Sequence, residues 1–96
     1  MQVDIDHIIK LCKPVFKKYG INSASIVGSM AYGDYSETSD LDVVVEISQS
    51  LSLLTFSKIK IELEEVLNRK VDLIVRSTIK ERMKKSMLAK EIIIAL

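Results

Sequence analysis

The sequence predicts one α/β domain over residues 1–96, of the α+β kind: a small mixed sheet of three to four strands packed against helices. Three observations carry this. Two long segments repeat apolar residues at the helical period, three short segments are β-branched and apolar, and the order is helix, strand, turn, strand, helix, strand, helix. The two consecutive strands are separated by only a loop and a short turn, so part of the sheet is expected to be antiparallel.

The first helix is read over residues 4–19. Ile5, Ile8, Ile9, Cys12, Phe16 and Tyr19 fall on one helical face, Asp4 can cap the start, and Gly20 ends the element. Pro14 conflicts with this, because it removes the bond to the Lys10 carbonyl; a kink or a break into two short helices is expected there. Residues 23–28 read as a short buried strand and residues 40–47 as a longer, partly alternating one. Residues 51–68 form a second long helix, with Phe56, Ile59, Leu63, Val66 and Leu67 on one side and Asn68 as the stop. Residues 71–76 are a third strand. Thr78 and Glu81 form a capping-box pattern that opens a third helix, on which Ile79, Met83 and Met87 recur every fourth residue. The tail from Glu91 to Leu96 is apolar and reads equally as a strand or a helical turn.

Bulk properties bound the function. A chain of 96 residues with 48% hydrophobic and 28% charged residues is globular rather than disordered. It is expected to bury roughly 60–65% of its unfolded surface, enough for one modest core. The apolar runs fall far short of the ~20 residues that span a bilayer, and no signal peptide is read, so no membrane role is expected. Cys12 is the sole cysteine, which excludes an intrachain disulfide and fits the reducing cytoplasm; its apolar register makes it a core residue.

The net charge of +1 names no partner, but its distribution is uneven. Between Tyr19 and Ser57 there is no Lys or Arg, while five acids occur: Asp34, Glu37, Asp40, Asp42 and Glu46. A local acidic field in a near-neutral chain suits a cation.

The chemistry concentrates in Gly28-Ser29-Met30-Ala31-Tyr32-Gly33 and, five residues on, Ser39-Asp40-Leu41-Asp42. Gly28 and Gly33 free the backbone to approach a ligand, and Ser29 offers a hydroxyl and an N–H at what reads as the first turn of a short helix, a setting that favours phosphate. Asp40 and Asp42 lie two apart at a strand start, so both carboxylates project from one face, about 7 Å apart by the ~3.3 Å rise per residue. Asp72 stands inside an apolar strand, where a carboxylate is costly to bury unless paired or metal-bound. If the two strands are neighbours, three carboxylates share one pocket and suit a two-metal site. Magnesium fits this donor set, since it takes one or two carboxylates and completes its shell with water and phosphate oxygens. A calcium loop over Asp34, Ser36, Thr38 and Asp40 is rejected: its sixth and twelfth positions, Ser39 and Val45, are not the required Gly and Glu.

These residues resemble the minimal nucleotidyltransferases of the DNA polymerase β superfamily. The likeness covers nearly the whole chain and implies the polymerase-β-like nucleotidyltransferase fold. Carried over by matching position, it implies that Gly28, Ser29, Gly33 and Ser39 hold the nucleotide, that Asp40, Asp42 and Asp72 bind magnesium, with two ions expected, and that these acids form the catalytic set, Asp72 as metal ligand or base. One departure stands out. Many members carry Arg where this chain has Met30 and Tyr32, so phosphate charge must be met by metal, by backbone, or by a base from elsewhere; Lys58, Arg76 and Lys80 are the candidates. The resemblance further implies an antitoxin that transfers AMP from ATP to a tyrosine of a helical HEPN-family partner and so silences its ribonuclease activity. The alternative is a catalytically weak nucleotide-binding module that neutralises its partner by complex formation. A nucleic-acid role is not expected from Lys80, Arg82, Lys84, Lys85 and Lys90: these bases surround the helix rather than forming one stripe, and no aromatics interleave. Apolar positions on the last helix and tail are read as a dimer or partner interface.

Overall fold

Alternation in the strands and a 3.6-residue repeat in the helices resolve into one sheet covered on one face by two helices. The structure, a computed structural model, describes residues 5–28, 40–47 and 51–96. In chain order the elements are α1 (Ile5–Lys18), β1 (Ser23–Val27), β2 (Leu41–Glu46), α2 (Leu53–Leu67), β3 (Val71–Val75), a 3₁₀ turn (Arg76–Thr78), α3 (Glu81–Met87) and β4 (Ile92–Ile94). The sheet has four strands in the order β3-β2-β1-β4. β1 pairs antiparallel with β2 and with β4, while β2 and β3 run parallel, joined through α2. The mixed α/β class expected from the sequence is therefore the one observed, and the tail forms a strand rather than a helical turn.

α1 is a single helix with Pro14 inside it, not the two short helices considered above. Pro14 and Lys10 are both exposed, so water can meet the carbonyl that the missing N–H leaves open. Asp4, expected to cap this helix, lies outside the described residues. The helix closes in a Schellman arrangement: Ile21 N–H donates to the Phe16 carbonyl at 2.9 Å and Gly20 N–H to Lys17 at 3.2 Å, with Gly20 at φ +73°. α2 begins at Ser52, whose hydroxyl accepts from Thr55 N–H at 3.1 Å, and ends at Asn68 in the left-handed region, φ 51°.

One face of the sheet meets α1 and α2. Phe16, Cys12 and Ile8 from α1 and Ile59 and Leu63 from α2 pack on Ala24, Ile26, Leu41, Val43, Val45 and Val71. Burying a side chain of this size stabilises by ~1.5–3 kcal/mol, and this layer is the main core. Lys18 Nζ and Glu62 Oε1, 2.7 Å apart, bridge the two helices at their surface. Val66, expected on the buried side of α2, is 44% exposed.

The opposite face carries the even-numbered positions of β2 and is closed by the short last helix. Val27 and Val44 pack with Ile79, Ile74 and Leu88 in a second, smaller cluster. Thr78 does not open a capping box. Its hydroxyl donates to the Val75 carbonyl at 2.7 Å and closes the 3₁₀ turn, so α3 starts only after Lys80, without a side-chain cap. Ile79 is buried ahead of the helix, while Met83 is 47% exposed rather than core.

Arg76 ties this turn to the sheet. Its Nη2 donates to Glu91 Oε2 at 2.8 Å and reaches Ser25 Oγ at 3.5 Å, and its Nε lies 3.2 Å from Glu46 Oε1, an ion pair without hydrogen-bond alignment. The buried Ser25 hydroxyl thereby gains a partner.

Candidate active site

Alternation along β2 puts Leu41, Val43 and Val45 into the helix-facing core, so Asp42 projects from the other face. Antiparallel pairing sets Asp42 opposite Val27, and parallel pairing sets it beside Asp72. Two anchors fix this register. Leu41 N–H donates to the Lys70 carbonyl at 2.9 Å, and Val71 N–H donates to Glu64 Oε2 at 3.1 Å. Neighbouring strands stand ~4.8 Å apart, so the two carboxylates are held side by side on one face.

The electrostatics follow. Burial raises the Asp42 carboxyl above its usual range, and the Asp72 charge, a hydrogen bond between the two carboxyls and the Asp40 charge push it the same way. Asp40 precedes β2 and is exposed. Asp72 is exposed too, on the edge strand β3, and so avoids the burial cost that its apolar neighbours raised. Among the described residues no group of three or more His, Cys, Asp or Glu is gathered closely enough to hold a metal ion unaided. The arrangement is a pair with a third acid nearby.

Gly28 follows β1 with φ +75°, and a Cβ there would run into the Asp42 carboxylate. Of the residues expected to bind nucleotide, Gly28 is thus brought against the acids; Ser29, Gly33 and Ser39 lie outside the described residues, as do Met30, Tyr32 and the short helix expected at Ser29.

Beside Asp42 opens a cavity of about 330 Å³. Val27, Gly28, Asp42 and Ile74 line it from the sheet, and Arg82, Met83 and Ser86 from α3. The α3 residues were not singled out as site residues. Their spacing, i, i+1 and i+4, marks one helical face, but Arg82 is one of several bases in a segment that reads as a solvated surface. The bases named earlier as phosphate candidates are not in this cavity. Lys58 is exposed on α2, across the sheet; Arg76 is engaged with Glu46 and Glu91; Lys80 is exposed ahead of α3.

Gly28, expected from the sequence to approach phosphate, packs on Asp42 of the acidic pair and lines a cavity with it. Comparison with known proteins agrees. Residues 8–95 match the family model of the nucleotidyltransferase domain. A Methanocaldococcus jannaschii protein named as a protein adenylyltransferase is 40% identical over 77 residues, 80% of this chain and 83% of that protein. A solved minimal nucleotidyltransferase superposes with a TM-score of 0.76 at 26% identity, covering 94% of this chain and 95% of that one. The complex of a tri-AMPylated Shewanella oneidensis HEPN toxin with its MNT antitoxin also matches in fold, with a TM-score of 0.63 at 18% identity over 93% of this chain and 66% of that one. The chain belongs to the nucleotidyltransferase family, and within it to the minimal nucleotidyltransferases. It is an enzyme of that class.

Proposed function

We propose that this chain transfers AMP from ATP to a hydroxyl, that of a tyrosine, on a HEPN-type partner protein, and so acts as its antitoxin. The observation that carries the reading is the Asp42–Asp72 pair held in register against Gly28. The relative named as a protein adenylyltransferase and the fold shared with an antitoxin bound to an AMPylated HEPN toxin support the substrate and the partner.

The donor set fits magnesium. Two hard carboxylates side by side, with Asp42 pushed up by burial and then by its neighbour's charge, would be relieved by a divalent cation, and magnesium takes few protein ligands. Asp40, Asp42 and Asp72 would hold it, with two ions expected. When bound, the metal supplies charge neutralisation at the phosphates. In the reaction the acceptor oxygen attacks the α-phosphorus, a P–O bond forms, and the bond from that phosphorus to the β-phosphate oxygen breaks. Pyrophosphate leaves, and Asp72, exposed beside Asp42, can take the acceptor proton. Gly28, with Ser29, Gly33 and Ser39, is assigned to the nucleotide.

Ile93 and Leu96, at 69% and 37% exposed, provide apolar surface for the partner or for a second copy. Among the described residues no helix is long and apolar enough to cross a membrane, and the lone Cys12 is a free buried thiol; we place the pair in the cytoplasm.

The test is to incubate the chain with its HEPN-type partner, Mg²⁺ and ATP labelled at the α-phosphate, then measure both masses. A partner gaining AMP units, and not doing so with Asp42→Ala, is the expected result. A complex with no mass change would favour the non-catalytic binding module instead.

A further inference from the structure

We propose that Arg82 binds the phosphate chain of the nucleotide. The inference rests on the nucleotidyltransferase reading of the site and adds a residue to it. The problem it answers is one of charge: the site is acidic, its substrate is strongly anionic, and residues 20–56 contain no Lys or Arg. A cation has to reach the acids from another part of the fold.

Arg82 is the only basic side chain, among the described residues, that lines the cavity containing Gly28 and Asp42. It makes no ion pair there with a described acid, although Asp42 shares the cavity. Its neighbours on α3 are placed differently: Lys84 pairs with Glu81 at 3.4 Å, and Lys85 is exposed outside the cavity. The element that carries Arg82 is fixed to the site. Ile79 and Leu88, which flank α3, pack on Val27, which precedes Gly28, and on Val44, two residues beyond Asp42 in β2. Ile74 and Met83 line the same cavity beside Arg82. A guanidinium also matches phosphate with a planar, bidentate fork that an ammonium lacks.

The test measures binding apart from turnover. Calorimetry with an α,β-methylene ATP analogue and Mg²⁺ is run on the full chain and on Arg82→Ala, Arg82→Gln, Arg82→Lys and, as a control, Lys85→Ala. Loss of a charge-assisted contact should weaken binding ~10–100-fold in the Ala and Gln variants, with partial recovery in Arg82→Lys and no change in Lys85→Ala. The KM for ATP should rise in parallel, with unchanged circular dichroism. Equal analogue binding by Arg82→Ala and the unaltered chain overturns the role of Arg82 and leaves the transferase reading standing. Normal analogue binding with weakened partner capture also overturns it, and places Arg82 on the acceptor. If the unaltered chain binds no nucleotide, the transferase reading fails, and this inference with it.

Discussion

Gly28 leaves room for Asp42: the backbone of the one occupies the space next to the carboxylate of the other, at φ +75°, so that no Cβ fits between them. Two constraints therefore meet at one residue, a left-handed backbone and a close side-chain approach. Gly20 has a similar φ of +73°, but nothing lies within 4 Å of a Cβ there.

The pair separates strain from function. Gly20→Ala should cost ~1–2 kcal/mol of stability for its φ alone and leave AMP transfer intact. Gly28→Ala should incur that cost and also displace the Asp42 carboxylate, so transfer should fall by ~10²-fold or more while the chain stays folded. Thermal unfolding and labelled-AMP transfer on both variants measure this. Equal activity in the two would show that the Gly28–Asp42 contact is immaterial.

The Asp42–Asp72 pair makes stability depend on pH and on magnesium. The Asp42 carboxyl is raised above its ordinary value of 3.8, so its protonated form is favoured by folding. Its contribution is fully present below that value and is lost as pH rises through the higher folded value. At neutral pH the ionised pair is a liability that Mg²⁺ should offset. Asp42→Asn should therefore flatten the fall in Tm with rising acid-range pH. Mg²⁺ should raise the Tm of the unaltered chain more than that of Asp42→Asn or Asp72→Asn. Equal Mg²⁺ shifts in all three would count against the metal assignment.

Arg76 should behave as a structural residue. It joins the 3₁₀ turn to Glu46, Glu91 and Ser25 with its side chain only 25% exposed. Arg76→Met should lower stability by about 1–2 kcal/mol, between the values for exposed and buried ion pairs. That corresponds to roughly 5–15 °C in Tm for a domain of this size. Once the chain is folded, its KM for ATP should be unchanged. A selective rise in KM would return Arg76 to the list of phosphate ligands.

Cys12 reports on opening of the main core. Burial pushes its thiol up from 9.0 to about 12 and leaves it no exposed surface. The neutral thiol is favoured by folding, so this contribution is present below pH 9 and is lost as pH rises from 9 towards 12. At pH 8 a thiol-specific alkylating reagent should modify Cys12 only through unfolding, and denaturant should accelerate the reaction. Rapid labelling of the native chain would contradict the packing of α1 on the sheet.

The sequence by itself determined a good deal. Its periodicities were enough for α1, β1, β2, α2 and β3, since a half-buried helix and a β-branched strand each carry their own repeat. The spacing of Asp40 and Asp42 predicted a shared face by the period-two alternation of a strand, but only Asp42 lies in β2, and Asp40 precedes it. The local signals were weakest in the last third. Thr78 and Glu81 match a capping box, but Thr78 ends the 3₁₀ turn and Ile79 is extended and buried in the Val27–Val44 cluster, so the helix starts only after Lys80. Met83 repeats with Ile79 yet lies exposed at the cavity, because repetition records spacing and not what stands opposite. Only the tertiary structure decided that Asp72 falls beside Asp42, which depends on parallel pairing between strands separated by a whole helix. It also decided that Arg76 is spent on Glu46 and Glu91 while Arg82 lines the same cavity as Asp42. A local pattern fixes which face a residue occupies; which element covers that face is set by long-range packing.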